Sequence, residues 1–434
     1  MEVIIIFALG LLTGIAIGLF PVFPIYLGAF LLYVTASFLT PEQILLFWAV
    51  SSIGSQFFCS VSTITLGIPG DASSLIYVND IKKLTMDQRN QLLWYTSRGS
   101  LISAFLALCL VFVMYHIYTN YNYNFLSGVG VRLLLLYIVI LFMIFSSSNK
   151  IISAIIGSLA LFIAPDSNYA LPNFWYGASL IFQNTTFFML ILSMIVIPDV
   201  LSYKTTYLDK GTEVFNPVPG TLPKKLIAKN SLLGCIISLL PGSAAELSAA
   251  TAYHTTRSSV SDKIIAAETA NNPGVIMMLL PFFLLGLPFT PSSIIVSNIM
   301  DLQLINIVTF GMSNSNIIGH LSVFESVVLL SMLSVLFYYF LSIRFINLYV
   351  KVVRIAQYKL KFLLLIMIVL MISLDIYIQE TTILNYIGLL VFYVCVGFIF
   401  RHFKINSLPF VFIWLLGDTI IWSSMQFYLI NFGN

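Results

Sequence analysis

The chain is 434 residues long, 59% hydrophobic and 9% charged, with a mean hydropathy of +0.99; an ordinary soluble domain carries roughly 25% charged residues. That composition excludes a soluble enzyme, and a net charge of +3 with no basic stripe excludes nucleic acid as a partner. At about 20 apolar residues per spanning helix, the length accommodates roughly ten to fourteen passes, so the expected fold is an all-α polytopic protein of the cell membrane, of transporter size.

In chain order, apolar runs fall at 3–20, 22–39, 44–80, 99–118, 128–147, 150–164 and 180–200, and again at 230–254, 264–298, 321–343, 361–378, 383–400 and 406–430. Residues 2–20 lack the basic start and small-x-small site of a signal peptide, and are expected to be the first membrane segment. The polar stretch 202–229 divides the chain into a first half, 1–201, and a second half, 230–434, with a cytoplasmic linker between them. Basic residues favour cytoplasmic loops. Threading the runs with both termini outside places every one of the 20 Lys and Arg inside except Arg132.

The halves repeat one another. Leu66-Gly67-Ile68-Pro69 with Ser73-Ser74 matches Leu285-Gly286-Leu287-Pro288 with Ser292-Ser293, 219 residues later, and Gly14 to Pro21 matches Gly234 to Pro241 at an offset of 220. The basic loops swap sides between equivalent positions: Lys82, Lys83, Arg89 and Arg98 come after the first motif, whereas Lys224, Lys225, Lys229, Arg257 and Lys263 precede the second. The pattern predicts two inverted-topology repeats that rock about a midplane site.

Several segments are predicted to break. Residues 230–242 and 243–254 are each too short to span about 30 Å, and they meet at Pro241-Gly242-Ser243, which suits a re-entrant hairpin. Helices are also predicted to stop at Gly67-x-Pro69-Gly70 and Gly286-x-Pro288, with Asp71 or Thr290 capping the next helix and serines in its first turn. Breaks inside a bilayer are tolerated where they face protein or a cavity. Helix starts suit a carboxylate, and exposed carbonyls and hydroxyls suit Na⁺. The candidate substrate-binding residues are therefore Gly67, Pro69, Gly70, Ser73, Ser74, Pro241, Gly242, Ser243, Gly286, Pro288, Ser292 and Ser293.

Polar residues in membrane segments are expensive and mark function by default. Glu268, Asn271 and Asn272 lie three and four residues apart, on one helical face, and are candidates to hold Na⁺ or carry a proton, with Na⁺ at Glu268 and Asn271; the alternative places Glu268 at the cytoplasmic interface beside Lys263. Asp71 either binds the coupling cation or caps a helix, and Glu246 is equally ambiguous. Asp418 and Glu325 are expected to be internal hydrogen-bonding groups, His254 a loop residue, and His116, His320 and His402 to join no constellation. Cys59, Cys109, Cys235 and Cys395 are expected to be small core residues. No nucleophile triad, phosphate loop or metal-ligand spacing is present, so no enzymatic activity, ATP-driven transport or cofactor is expected.

With these motifs the chain resembles the large permease subunit of the tripartite tricarboxylate transporter family (TctA-like), over most of its length. The resemblance rests on Gly234 to Ala244, on Glu268-Thr269-Ala270-Asn271-Asn272 joined to Pro281 to Ser293, on Leu66 to Gly70 with Ser73-Ser74, and on Ile155 to Gly177 with Asp166 and Phe174. The chain departs from the family pattern at Pro21-Val22-Phe23, Phe58-Cys59-Ser60 and Asp80-Ile81. The resemblance implies cation-coupled uptake of di- or tricarboxylates with a small membrane subunit and an extracytoplasmic binding protein. Two other functions stay open at this point: a flippase or membrane enzyme on the same scaffold, and a non-transporting membrane subunit.

Overall fold

The computed structural model describes residues 2–18, 38–120, 185–202, 214–240, 244–285, 310–314, 317–379 and 382–403, with scattered positions between and beyond them. Every named element among the described residues is helical, and the one strand-like feature is an isolated bridge between Asn314 and Ser322. The chain is an all-α polytopic membrane protein. Among the described residues, four helices are long and apolar enough to cross a bilayer: α2 (Pro41–Leu66), α4 (Met86–Asn120), α11 (Val323–Arg344) and α14 (Ile383–His402). The expected passes at 22–39, 128–147, 150–164 and 406–430 lie wholly or largely outside the described residues, as does Asp418.

The chain forms two compact units. The first comprises Met1–Asn122 and Tyr207–Lys359, and the second Tyr123–Thr206 and Leu360–Asn434, so each draws on both sides of the polar stretch. The first unit contains α1 (Glu2–Gly18), α2, a 3-10 turn (Ser73–Ile76), α3 (Val78–Ile81), α4, α7 (Lys224–Ile237), α8 (Ala244–Thr255), α9 (Val260–Ile276), α10 (Leu279–Leu285), α11 and α12 (Ile346–Tyr358). The second contains α5 (Phe187–Ile191), a π-helical turn (Leu192–Val196), α6 (Ile197–Ser202), α13 (Leu360–Gln379) and α14.

Local sequence sets these ends. Pro41 opens α2 at the one helical position where a missing N–H costs nothing, and Gln43 Oε1 accepts from the Thr40 N–H at 3.1 Å. Gly67 closes it at φ 64°, a left-handed position that glycine takes without strain, with its N–H on Thr63 O. Ser259 caps α9 through the Asp262 N–H at 3.2 Å. Glu325, expected to be an internal hydrogen-bonding group, accepts from Ser322 N at 2.8 Å and opens α11. His116, for which no constellation was expected, stands 3.4 Å from Glu325 Oε1 because α4 ends where α11 begins. His254 lies in the last turn of α8 instead of a loop, since Thr251 to Thr256 continue the helical bonding.

Within the first unit, close approach of backbones replaces the hydrophobic drive that a bilayer does not supply. Gly10, Gly14 and Gly18 line the face of α1 that meets α2: a Cβ on Gly14 would lie 2.9 Å from Gly54 Cα and 3.0 Å from Ser51 O. In the second half a Cβ on Gly234 of α7 would lie 2.6 Å from Ala270 O on α9. These pairs occupy corresponding positions: 14 and 234 differ by 220, and 51 and 270 by 219. The helix bounds correspond as well, since residues 41–66 form α2 and residues 260–285 form α9 and α10. The second-half copy breaks at Met277, four residues after Pro273, whereas the sequence pattern places its stop at Gly286. Packing then crosses over. First-half α4 lies on second-half α9, where a Cβ on Gly99 would sit 2.7 Å from Thr269 Oγ1. Second-half α11 lies on first-half α2, where buried Tyr338 donates its hydroxyl towards Gly10 O (3.1 Å), Leu11 O (3.2 Å) and Val50 O (3.1 Å).

The short arms α7 and α8, 14 and 12 residues long, reach only about 21 and 18 Å at 1.5 Å per residue. Neither spans a bilayer, as predicted for a re-entrant hairpin. The described part of the linker is docked at two residues: Asn347 holds both polar groups of the Phe215 backbone at 2.8 and 2.9 Å, and Asn90 accepts from the Asn216 N–H at 3.0 Å. In the second unit, Asp375 on α13 is fully buried and accepts from Tyr386 OH at 2.6 Å and Thr186 Oγ1 at 3.1 Å.

Tyr338→Phe, which removes one hydroxyl, is expected to cost about 1–2 kcal/mol and lower the detergent melting temperature by a few degrees. Gly54→Val is expected to yield no folded protein, because its Cβ alone would lie 2.2 Å from Tyr338 Cζ in a core with no room to move. Thermal melts and size-exclusion profiles check both.

Candidate functional site

The site is built where α2 stops. After Gly67 the chain turns so that Gly70 lies against α2: a Cβ there would sit 2.1 Å from Cys59 O, and the Gly70 N–H donates to Thr63 Oγ1 at 2.8 Å. This contact is closed to any other residue, because the obstructing atom is backbone. It fixes the direction in which Asp71 leaves the turn.

Asp71 caps the next turn of the chain. Its Oδ1 accepts from Ser74 N at 3.0 Å and Ser73 Oγ at 2.7 Å, while Ser74 Oγ accepts from Asp71 N at 3.2 Å and donates to Asp71 O at 2.8 Å. The same four bonds recur 219 residues later. Thr290 Oγ1 accepts from Ser293 N at 3.3 Å and pairs with Ser292 Oγ at 3.2 Å; Ser293 Oγ accepts from Thr290 N at 2.9 Å and donates to Thr290 O at 2.8 Å. Ser73, Ser74, Ser292 and Ser293, expected to face the substrate, are each engaged in hydrogen bonds within their own turns. The element after Asp71, however, is a four-residue 3-10 turn succeeded by four-residue α3. Too few peptide dipoles align in it to build up a macrodipole; it offers a ligand only individual N–H and hydroxyl groups. Pro241, Gly242, Ser243, Gly286 and Pro288 lie outside the described residues.

The free side of Asp71 faces the second half. Asn271 Nδ2 on α9 lies 3.4 Å from Asp71 Oδ2, and buried Asn271 Oδ1 has no partner among the described residues. Glu268, one turn earlier on α9, is 1% exposed, and its Oε1 accepts from the hydroxyl of Tyr77, which is equally buried. The alternative in which Glu268 lies at the interface beside Lys263 therefore does not hold. Lys263 instead sits over the Tyr253 ring, 5.7 Å from its centroid. No Lys, Arg or His lies within salt-bridge distance of Asp71 or Glu268 among the described residues.

The two amides diverge. Asn272 Nδ2 donates to Ser100 Oγ on α4 and to the Glu268 carbonyl, each at 2.9 Å, whereas Asn271 faces Asp71. Adjacent residues on a helix lie about 100° apart, so a spacing of three and a spacing of four from Glu268 do not lead to one ligand. Asn272 ties α9 to α4, and Asn271 remains with the acids.

Sequence reasoning missed Tyr77, the residue that holds Glu268. It is one of 22 tyrosines, and its only signal is its place one turn beyond Ser73-Ser74. Ser100, the partner of Asn272, lies in a helix whose apolar pattern gives no hint of it.

Gly70→Ala is expected to cost about 3 kcal/mol or more through overpacking against backbone, whereas Gly67→Ala costs about 1 kcal/mol for its left-handed φ. Melting temperatures of the two variants in detergent give the comparison.

Compared with known proteins, residues 4–412 match the family model described as the tripartite tricarboxylate transporter TctA family. No curated protein and no solved structure matches the chain.

Proposed function

Because the chain belongs to the tripartite tricarboxylate transporter TctA family, and is thus a membrane-embedded transporter subunit, we propose that it is the large permease of a secondary transporter for small organic anions such as di- or tricarboxylates, driven by Na⁺ or H⁺. Its partners in this reading are a small membrane subunit and an extracytoplasmic binding protein. It lies in the cell membrane with both termini outside, and its halves are inverted repeats that alternate access to a midplane site.

The observation that carries the coupling is the approach of two carboxylates, half-buried Asp71 from the first half and fully buried Glu268 from the second, with no basic side chain beside either among the described residues. Removing an ionised carboxylate from water costs on the order of several kcal/mol unless it is paired. Two such groups repel an approaching organic anion. A cation at Asp71 and Asn271, or a proton on Glu268, removes both the desolvation cost and the repulsion, so cation and anion bind best together. That mutual dependence is coupling in thermodynamic terms. The organic anion would then meet the N–H and hydroxyl groups around Ser73, Ser74, Ser292 and Ser293. The matched caps and the crossed packing of α2, α4, α9 and α11 support the reading of two equivalent halves meeting at one site.

Proteoliposomes containing the protein, with its binding protein and small subunit, are expected to accumulate a labelled di- or tricarboxylate under an inward Na⁺ or H⁺ gradient. Absence of accumulation under every gradient would remove the reading. Glu268→Gln keeps an acceptor for Tyr77 and removes the charge; accumulation is expected to fall to the level of empty liposomes with the melting temperature nearly unchanged. Wild-type uptake in that variant would exclude Glu268 from coupling.

A further inference from the structure

The acid cluster is closed on one side by two aromatic rings, one from each half. Tyr77 donates to Glu268, and its ring stacks on Tyr253 at the end of α8, with centroids 6.5 Å apart and planes inclined by 28°. Tyr253 donates its own hydroxyl to Asp80 Oδ2, and Asp80 Oδ1 pairs with Lys83 at 3.0 Å, where Lys83 is 75% exposed. From solvent inward the order is therefore Lys83, Asp80, Tyr253, Tyr77, Glu268. Lys263 caps the outer ring from above.

The segment that carries Tyr77 and Asp80 comes from the first half, and the segment that carries Tyr253 and Glu268 from the second. Both tyrosine–carboxylate bonds, and the ring stack between them, cross that divide. Inert core packing would need only the stack. Here both hydroxyls are spent on carboxylates of the opposite segment, so a shift of α8 against residues 71–83 breaks the outer bond and parts the rings at once.

We propose that Tyr77 and Tyr253 are the gate that shuts the acid cluster off from the face carrying Lys83, and that Asp80 is the latch holding it closed. The inference rests on the coupling-site reading, since it concerns how a cation reaches or leaves Glu268 and Asp71. Tyr253 and Asp80 act through position and touch no transported ion in the closed state.

Cys59 supplies the reporter. It is 1% exposed, and its backbone lies against Gly70, the residue before Asp71. In a background of Cys109→Ser, Cys235→Ser and Cys395→Ser, a membrane-impermeant maleimide is applied to right-side-out and to inverted vesicles, and Lys83→Cys in a parallel sample marks which face is which. Tyr253→Phe keeps the ring and removes the latch bond; Asp80→Asn keeps the shape and weakens it. Both are expected to raise the rate of Cys59 labelling about fivefold or more from the Lys83 face, with no change from the opposite face. Asp80→Glu is expected to restore slow labelling.

Unchanged rates in both variants would overturn the gate, as would an equal rise from both faces, which marks general loosening. Labelling requires no transported solute. It can therefore fail in a protein that accumulates carboxylates, and succeed in one that does not, so the gate and the coupling reading are rejected separately.

Discussion

A backbone that leaves the helix inside an apolar slab has to find its hydrogen bonds within the protein, because no water is there to supply them. This chain meets the demand with a side chain that caps and is capped in return: Asp71 with Ser73 and Ser74, and Thr290 with Ser292 and Ser293. The remaining geometry of the first unit depends on where these breaks can sit. Gly70 must lie flush on α2 for the turn to begin, and Asp71 then has one oxygen committed to the cap and one left to face α9.

The two caps are alike in geometry and unlike in charge. Threonine satisfies its turn with a neutral hydroxyl, whereas aspartate satisfies its turn with a carboxylate at a half-buried position. The pseudo-symmetry of the scaffold therefore does not extend to its electrostatics. The first half contributes Asp71 at the break and the second half contributes Glu268 on the helix before it, so the two acids reach the same region from non-equivalent positions. Two turns of like geometry, 219 residues apart, thus differ in charge, the property on which discrimination between a cation and an anion depends.

Much of this was legible in the chain because it was recorded as local chemistry. The Gly-x-Pro stops, the Pro-Gly between two short arms and the constant offset between halves all depend on neighbours in sequence; α2 ends at Leu66 and α8 at Thr255, close to where they predict, whereas α7 ends at Ile237, four residues before Pro241. Glu268 was conspicuous because a carboxylate in an apolar run is costly wherever it points. The hidden part depends on direction. Whether Asn271 and Asn272 share a ligand is decided by helical phase against α4 and the Asp71 turn, and the choice of Tyr77 over other tyrosines is decided by a three-dimensional path. Pro273 removes the donor that would have met the Thr269 carbonyl, yet α9 runs on to Ile276 and the Met277 N–H still bonds Pro273 O at 2.8 Å, so the stop at Met277 is not written in the proline. Asp375 went unnoticed for the same reason: the hydroxyls that satisfy it come from Thr186 and Tyr386, the former almost two hundred residues away in sequence.

The Tyr338 hydroxyl settles onto Gly10, Leu11 and Val50, and its ring fills the notch left by Gly54. During synthesis, α1 and α2 enter the membrane with that notch open, and the residue that closes it is translated 288 positions after Val50. The early helix pair is thus an unfinished surface for most of the chain's production, and the two halves cannot mature as separate bodies. The same tyrosine that stabilises the fold thus ties a helix made late in synthesis to a helix pair made at its start.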